Sequence, residues 1–191
     1  MNFLAHLYLS GSDDEIMVGN ILADRSKGLV KNNLSEGILN GIKLHYAIDH
    51  YTDNHPVVAI TKKRLNTSFG HYAPVITDVF YDHFLAANWK DYSDVPLEVF
   101  AKKCYSVLRK HKNLFPVDFR FAFIYMRFRN LLVSYRTIDG IKFAFDRMVG
   151  RAVNSKNLHL AIEELKKNYP LYEEEFKEFF KDAIKRFQNG L

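Results

Sequence analysis

Between residues 2 and 89, histidines and aspartates stand at positions where helical periodicity calls for core residues. His45, Asp49 and Asp53 extend a stripe that begins at Ile38 and Ile42, and Asp78 and Asp82 lie in a second stripe with Val75, Leu85 and Trp89. Residues three or four apart share a helix face, so each set of polar side chains points where its apolar neighbours point. His83 joins the adjacent stripe of Ile76, Val79 and Phe80, His6 interrupts the apolar run from Phe3 to Leu9, and Asp24 lies one turn beyond Asn20 on the face of Met17. An inward charge is costly unless it is paired or coordinated, and carboxylate oxygens and neutral imidazole nitrogens are ligands for Mg²⁺, Mn²⁺, Fe and Zn²⁺. Helix bundles assemble such centres from i, i+3 and i, i+4 pairs on facing helices, the spacing of His45/Asp49 and Asp78/Asp82. This accumulation favours a metal centre. The competing arrangement pairs the carboxylates with arginines such as Arg127, Arg129 and Arg136, and describes a non-catalytic basic binding protein.

The elements that must carry these residues read as helices throughout. Apolar residues recur at spacings of three and four, and no run of strict alternation is bounded by hairpin turns. The pattern predicts helices over 2–9, 12–25, 35–53, 56–67, 74–89, 96–112, 116–134, 137–150, 157–168 and 171–188. Ser12 and Glu15 have capping-box spacing, and Pro56, Pro74, Pro96, Pro116 and Pro170 fall at or near helix starts. Gly11, Gly28, Gly70 and Gly140 punctuate the gaps, whereas Gly19 and Gly41 sit inside helices. Glycine there costs about 1 kcal/mol relative to alanine, which close helix contacts would explain. The aromatic residues from Phe115 to Tyr135, including Phe119, Phe121, Phe123, Tyr125 and Phe128, read as core, and the last helix as an amphipathic cover. The expected fold class is all-α, a single-domain helical bundle spanning residues 1–191.

Composition narrows the chemistry further. The chain has 191 residues, a formal charge of +5 and a pI near 9.1, a balance that steers acidic partners toward it. Basic clusters occur at Lys62-Lys63-Arg64, Lys102-Lys103 and Arg109 to Lys112. Cys104 is the single cysteine, which excludes an internal disulfide and a thiolate zinc site and suits a reducing, cytoplasmic address. The apolar stretch from Phe121 to Val133 carries Arg127, Arg129 and Asn130, too polar for a membrane span. Phosphate-cradling glycine loops, G-x-S-x-G and H-E-x-x-H are all missing.

Four segments carry a resemblance. Met1-Asn2-Phe3-Leu4-Ala5-His6-Leu7, Gly19-Asn20-Ile21-Leu22-Ala23-Asp24, His45 to Asp49 with Thr52-Asp53-Asn54-His55-Pro56, and Val79-Phe80-Tyr81-Asp82-His83-Phe84-Leu85 resemble the acyl carrier protein phosphodiesterase family in order and spacing. Leu132-Val133-Ser134-Tyr135-Arg136 resembles a later family segment. The resemblance implies a fold related to the HD phosphohydrolases and hydrolysis supported by a divalent metal, Mn²⁺ ahead of Mg²⁺ or Fe²⁺. The substrate it implies is the 4′-phosphopantetheine diester of holo acyl carrier protein, an acidic partner, with no role for nucleic acid or membrane. Matching positions suggest His6, Asp24, His45 and Asp82 as metal ligands. Asp49, Asp78, His83 and Arg136 are then expected in catalytic roles, with Asp53 and Tyr46 toward substrate. Tyr46 stands where relatives often carry arginine. The Asp82-His83 order reverses the doublet that names the HD group, so ligand assignments do not transfer from that larger superfamily. The alternative within the same chemistry is a nucleotide or another small phosphodiester as substrate.

Overall fold

A helix that is apolar almost all round is stable only inside a bundle, and the segment Ala73–Ala87 is of that kind, with Ile76, Thr77 and every residue from Val79 to Ala86 buried. In the computed structural model, which describes residues 1–24, 34–149 and 158–188, this segment lies at the centre of an all-α structure. In chain order the helices are α1 (Phe3–Leu9), α2 (Asp14–Ala23), α3 (Glu36–Asn54), α4 (Pro56–Phe69), α5 (Ala73–Ala87), α6 (Leu97–Lys110), α7 (Val117–Phe128), α8 (Leu131–Ser134), α9 (Ile138–Val149), α10 (Ala161–Lys167) and α11 (Tyr169–Phe187). Helices α1, α4, α9 and α11 pack on α5, and α3 lies against α2 and α4. No strand occurs among the described residues, and no helix among them is long and apolar enough to cross a membrane.

Most predicted helices appear within a few residues of their expected ends. The expected ends at Arg25 and Gly150, the start at residue 157 and the break at Gly28 lie outside the described residues. Three local details differ. Helix α2 is capped by Asp13 rather than Ser12, the Asp13 carboxylate accepting from the Glu15 and Ile16 N–H groups at 2.8 and 3.0 Å. The segment predicted as one helix over 116–134 breaks at Asn130, whose φ of 46° is left-handed. Asparagine tolerates that conformation, and Tyr105 of α6 spans the break, its hydroxyl donating to the Met126 carbonyl at 3.2 Å and accepting from the Leu132 N–H at 3.0 Å. The third difference divides the aromatic segment. Phe115, Phe119 and Phe123 are core, but Phe121 and Phe128 are exposed, because Phe119 and Phe123 take the inward face of α7.

The two interior glycines meet where α2 crosses α3. A Cβ on Gly19 would lie 2.0 Å from the Ile38 carbonyl oxygen, and one on Gly41 would lie 2.2 Å from that of Ile16. Backbone contacts backbone here, as the intrahelical glycines led one to expect.

A second tie joins α4 to α11. Glu175 is buried and accepts two bonds from the Arg64 guanidinium, at 2.7 and 2.8 Å, and one from the Thr61 hydroxyl at 2.7 Å. Removing one partner of a buried pair strands the other. Glu175→Gln is therefore expected to destabilise the fold by about 2 kcal/mol, measured by urea denaturation. A loss too small to resolve would mean that the pair adds nothing.

Candidate metal centre and its cleft

The C-terminal end of α1, the middle of α2 and the second half of α3 converge on a cleft of about 480 Å³. His6 comes from α1, and His45 and Asp49 come from successive turns of α3. One donor atom from each of the three lies within 4.8 Å of the others. The two imidazoles stack with centroids 4.4 Å apart, and their Nε2 atoms each lie 3.1 Å from one oxygen of Asp49. His6 Nε2 is nonetheless a buried nitrogen without a hydrogen-bond partner.

Asn20 of α2 decides which ring atoms face the cleft. Its Nδ2 donates to the His6 carbonyl at 3.0 Å and to Ser10 Oγ at 2.9 Å. A carbonyl can only accept, so the amide orientation is determined and Oδ1 must face the rings. His6 Nδ1 lies 2.8 Å and His45 Nδ1 3.1 Å from that oxygen, and both therefore carry hydrogen. Each ring in its neutral form then turns an Nε2 lone pair toward Asp49. Burial lowers the pKa of His6 and favours the neutral ring. Two lone pairs aimed at a carboxylate repel unless a cation lies between them. A divalent ion with nitrogen and oxygen preferences fits this donor set, and the orphaned nitrogen of His6 is the observation that favours it.

The other expected site residues divide. Asp24, Asp53 and Asp78 line the same cleft. Asp78 lies 3.2 Å from the amino group of Met1, and Asp53 is 2.7 Å from Lys62 Nζ. The ring of Tyr46 meets that of His45 edge-on with centroids 5.7 Å apart, outside the lining of the cleft. Asp82 is fully buried against the start of α1, where its oxygens accept from the Leu4 and Ala5 N–H groups at 2.9 and 3.1 Å. It acts there as a cap for orphan donors, and burial pushes its carboxyl up to about 7 against the pull of those two N–H groups. His83 faces away, with Nδ1 donating to the Tyr135 carbonyl at 2.7 Å and Nε2 3.0 Å from the Tyr169 hydroxyl. Arg136 pairs with Glu98 at 2.7 Å and lines a separate cavity beside Trp89. The fold thus does not bring Asp82, His83 or Arg136 to the cleft. Helical spacing gave the inward direction of Asp82 and His83 correctly, but not what they meet there. Cys104 is buried and its thiol is pushed up to about 12, so it offers no nucleophile.

A family model for acyl carrier protein phosphodiesterase matches residues 1–183. The chain belongs to that family. Among curated acyl carrier protein phosphodiesterases, that of Photorhabdus laumondii is 27% identical over 190 residues, covering 99% of this chain and 96% of the relative. Those of Shigella boydii serotype 18 and Escherichia coli O6:H1 are each 32% identical, over 185 and 183 residues, with 94% of each chain covered. No solved structure matches.

In this member of the acyl carrier protein phosphodiesterase family, sequence reasoning passed over three groups at the cleft. Asn20 was read only as a position on the face of Met17, since nothing in its spacing shows that one amide serves two histidines. Lys62 was grouped with a surface cluster, although a lysine nine residues after Asp53 and across a Pro56 helix start could have suggested their 2.7 Å pair. The Met1 amino group is buried, which works against its charge, but Asp78 and Asp49 outweigh that and raise its pKa. Asn20→Ala is expected to weaken Mn²⁺ binding by about 10–100-fold, the usual effect of losing the partner that orients a histidine ligand. Thermal-shift titration with Mn²⁺ measures this, and an unchanged midpoint would show that Asn20 orients nothing.

Proposed function

We propose that the chain, as one domain over residues 1–191, is a metal-dependent phosphodiesterase that hydrolyses the diester between 4′-phosphopantetheine and the serine of holo acyl carrier protein. The observation that carries this reading is the Asn20-enforced presentation of His6 and His45 Nε2 beside Asp49. Those three residues would hold a divalent cation, Mn²⁺ ahead of Mg²⁺ or Fe²⁺. Such a cation supplies Lewis acidity, lowering the pKa of water and offsetting charge on phosphoryl oxygens. The protein's own groups do the rest. Lys62 and the Met1 amino group attract and orient the phosphodiester anion, while Arg136, expected in a catalytic role, is paired with Glu98 away from the cleft. Asp78, beside that amino group, orients the attacking water, accepts its proton and passes that proton to the departing seryl oxygen. Asp53 keeps the Lys62 ammonium at the cleft, and Asp24 lines the same cleft. A cytoplasmic setting suits the lone free cysteine.

The test is to incubate the purified protein with holo acyl carrier protein and Mn²⁺ and to weigh the carrier by mass spectrometry. Loss of the arm, abolished by chelator, is the expected result. An unchanged carrier mass, with turnover of small free phosphodiesters instead, would reassign the substrate, and absence of both activities would overturn the reading.

A further inference from the structure

Helix α7 has two apolar faces, and the fold covers one. Phe119, Phe123 and Met126 point into the core, whereas Val117, Phe121, Ile124 and Phe128 are 62%, 68%, 63% and 82% exposed. The exposed four recur at spacings of four, three and four, so they form one stripe along the helix. Scattered exposed apolar residues need no explanation, but a contiguous stripe on a helix marks an interaction surface. Its flank is basic. Arg127 lines a cleft of about 390 Å³ with Lys102 and Arg109 of α6. The acid at that cleft, Glu98, is bound to Arg136 at 2.7 Å, and none of the three cations has an ion-pair partner among the described residues.

We infer that the outer face of α7, with Arg127, Arg109 and Lys102 beside it, docks an acidic protein, and that this partner is the acyl carrier protein whose serine-linked phosphodiester reaches the metal cleft. The inference rests on the proposed function and adds where the substrate sits. Charge complementarity selects the partner. A symmetric pairing of two copies through the same patch would set Arg127, Arg109 and Lys102 against their equivalents, whereas an acidic helical surface meets them with opposite sign. The other basic cluster is less available, because Arg64 is held by Glu175 and Lys62 by Asp53. The position also fits. Phe119, on the inner face of α7, packs against Phe3 with ring centroids 6.4 Å apart, and Phe3 lines the metal cleft. A protein on the outer face is then about one helix diameter, ~10 Å, from the wall of that cleft, near enough for a carrier domain that overlaps the rim to bring its modified serine to the metal site.

The experiment measures binding of apo acyl carrier protein, which lacks the arm, to the full chain by fluorescence anisotropy. Phe121→Asp with Ile124→Asp, and separately Arg109→Glu with Arg127→Glu, are each expected to raise Kd about tenfold or more. The charge variant should also flatten the salt dependence. All four positions are exposed, and an unaltered Tm checks the fold. Lys63→Glu serves as a control and should bind as the wild type does. Unchanged affinity in both double variants would overturn the inference, as would failure of the wild type to bind apo carrier. So would light scattering that shows a dimer converted to monomer by Phe121→Asp, or loss of binding to phosphatidylglycerol vesicles as the sole effect. Release of the arm from holo carrier by the wild type is read separately, so the reaction and the docking face can fail independently.

Discussion

Asp49→Ala is expected to abolish stabilisation by Mn²⁺ and to reduce release of the arm by about 10³-fold or more. Losing a group that merely orients a ligand costs about 10–100-fold. Removing a donor atom itself must exceed that, because only the two imidazoles of the donor set remain. The fold should survive, since Asp49 lies at the cleft surface with its side chain 40% exposed and with both oxygens turned to His6 and His45 rather than into the core. In the wild type, Mn²⁺ at a hundred times its Kd adds about 2.7 kcal/mol to stability, which at about 2–4 °C per kcal/mol is an easily read rise in Tm. Asp49→Ala should show none of it. The same titration carries a pH dependence of known sign. Ligands bind metal in their deprotonated forms, so Mn²⁺ affinity rises as pH rises through the histidine range and binding releases protons. A variant whose Tm still climbs with Mn²⁺ as the wild type's does would remove Asp49 from the centre.

Gly41→Ala is expected to cost about 3 kcal/mol, a fall in Tm of about 6–12 °C, and to weaken Mn²⁺ binding although residue 41 touches no ligand. A methyl group here would meet the Ile16 carbonyl oxygen at 2.2 Å and the Asn20 amide nitrogen at 2.9 Å. Both are backbone atoms and cannot rotate away, so relief requires α2 and α3 to separate. That separation moves Asn20 relative to His45, whose Nδ1 it holds at 3.1 Å, and loosens the device that directs both Nε2 atoms to the cleft. Gly19→Ala should act in the same way from the opposite helix, meeting the Ile38 carbonyl oxygen at 2.0 Å. Chemical denaturation and Mn²⁺ titration of the same variant give the two readouts. A stable Gly41→Ala protein with normal Mn²⁺ affinity would show that α2 and α3 can separate at this crossing without disturbing the site.

Local sequence determined most of the frame. The three-and-four spacing of apolar residues, with prolines near helix starts, specified an all-α chain and placed nearly every described helix, because amphipathic periodicity and φ restriction act within one or two turns. It also marked His45 and Asp49 as one pair on one face, and the interior glycines as a tight contact. Tertiary structure decided which polar residues meet. His6, Asn20 and His45 are 14 and 25 residues apart, and their convergence depends on the α2–α3 crossing and on the docking of α1, which no local spacing encodes. The same packing turned Asp82 onto the α1 backbone, His83 toward Tyr135 and Arg136 toward Glu98. An inward direction follows from helix geometry alone, but the partner found there follows from which helix packs opposite. For a buried polar group, that partner separates a cap from a ligand.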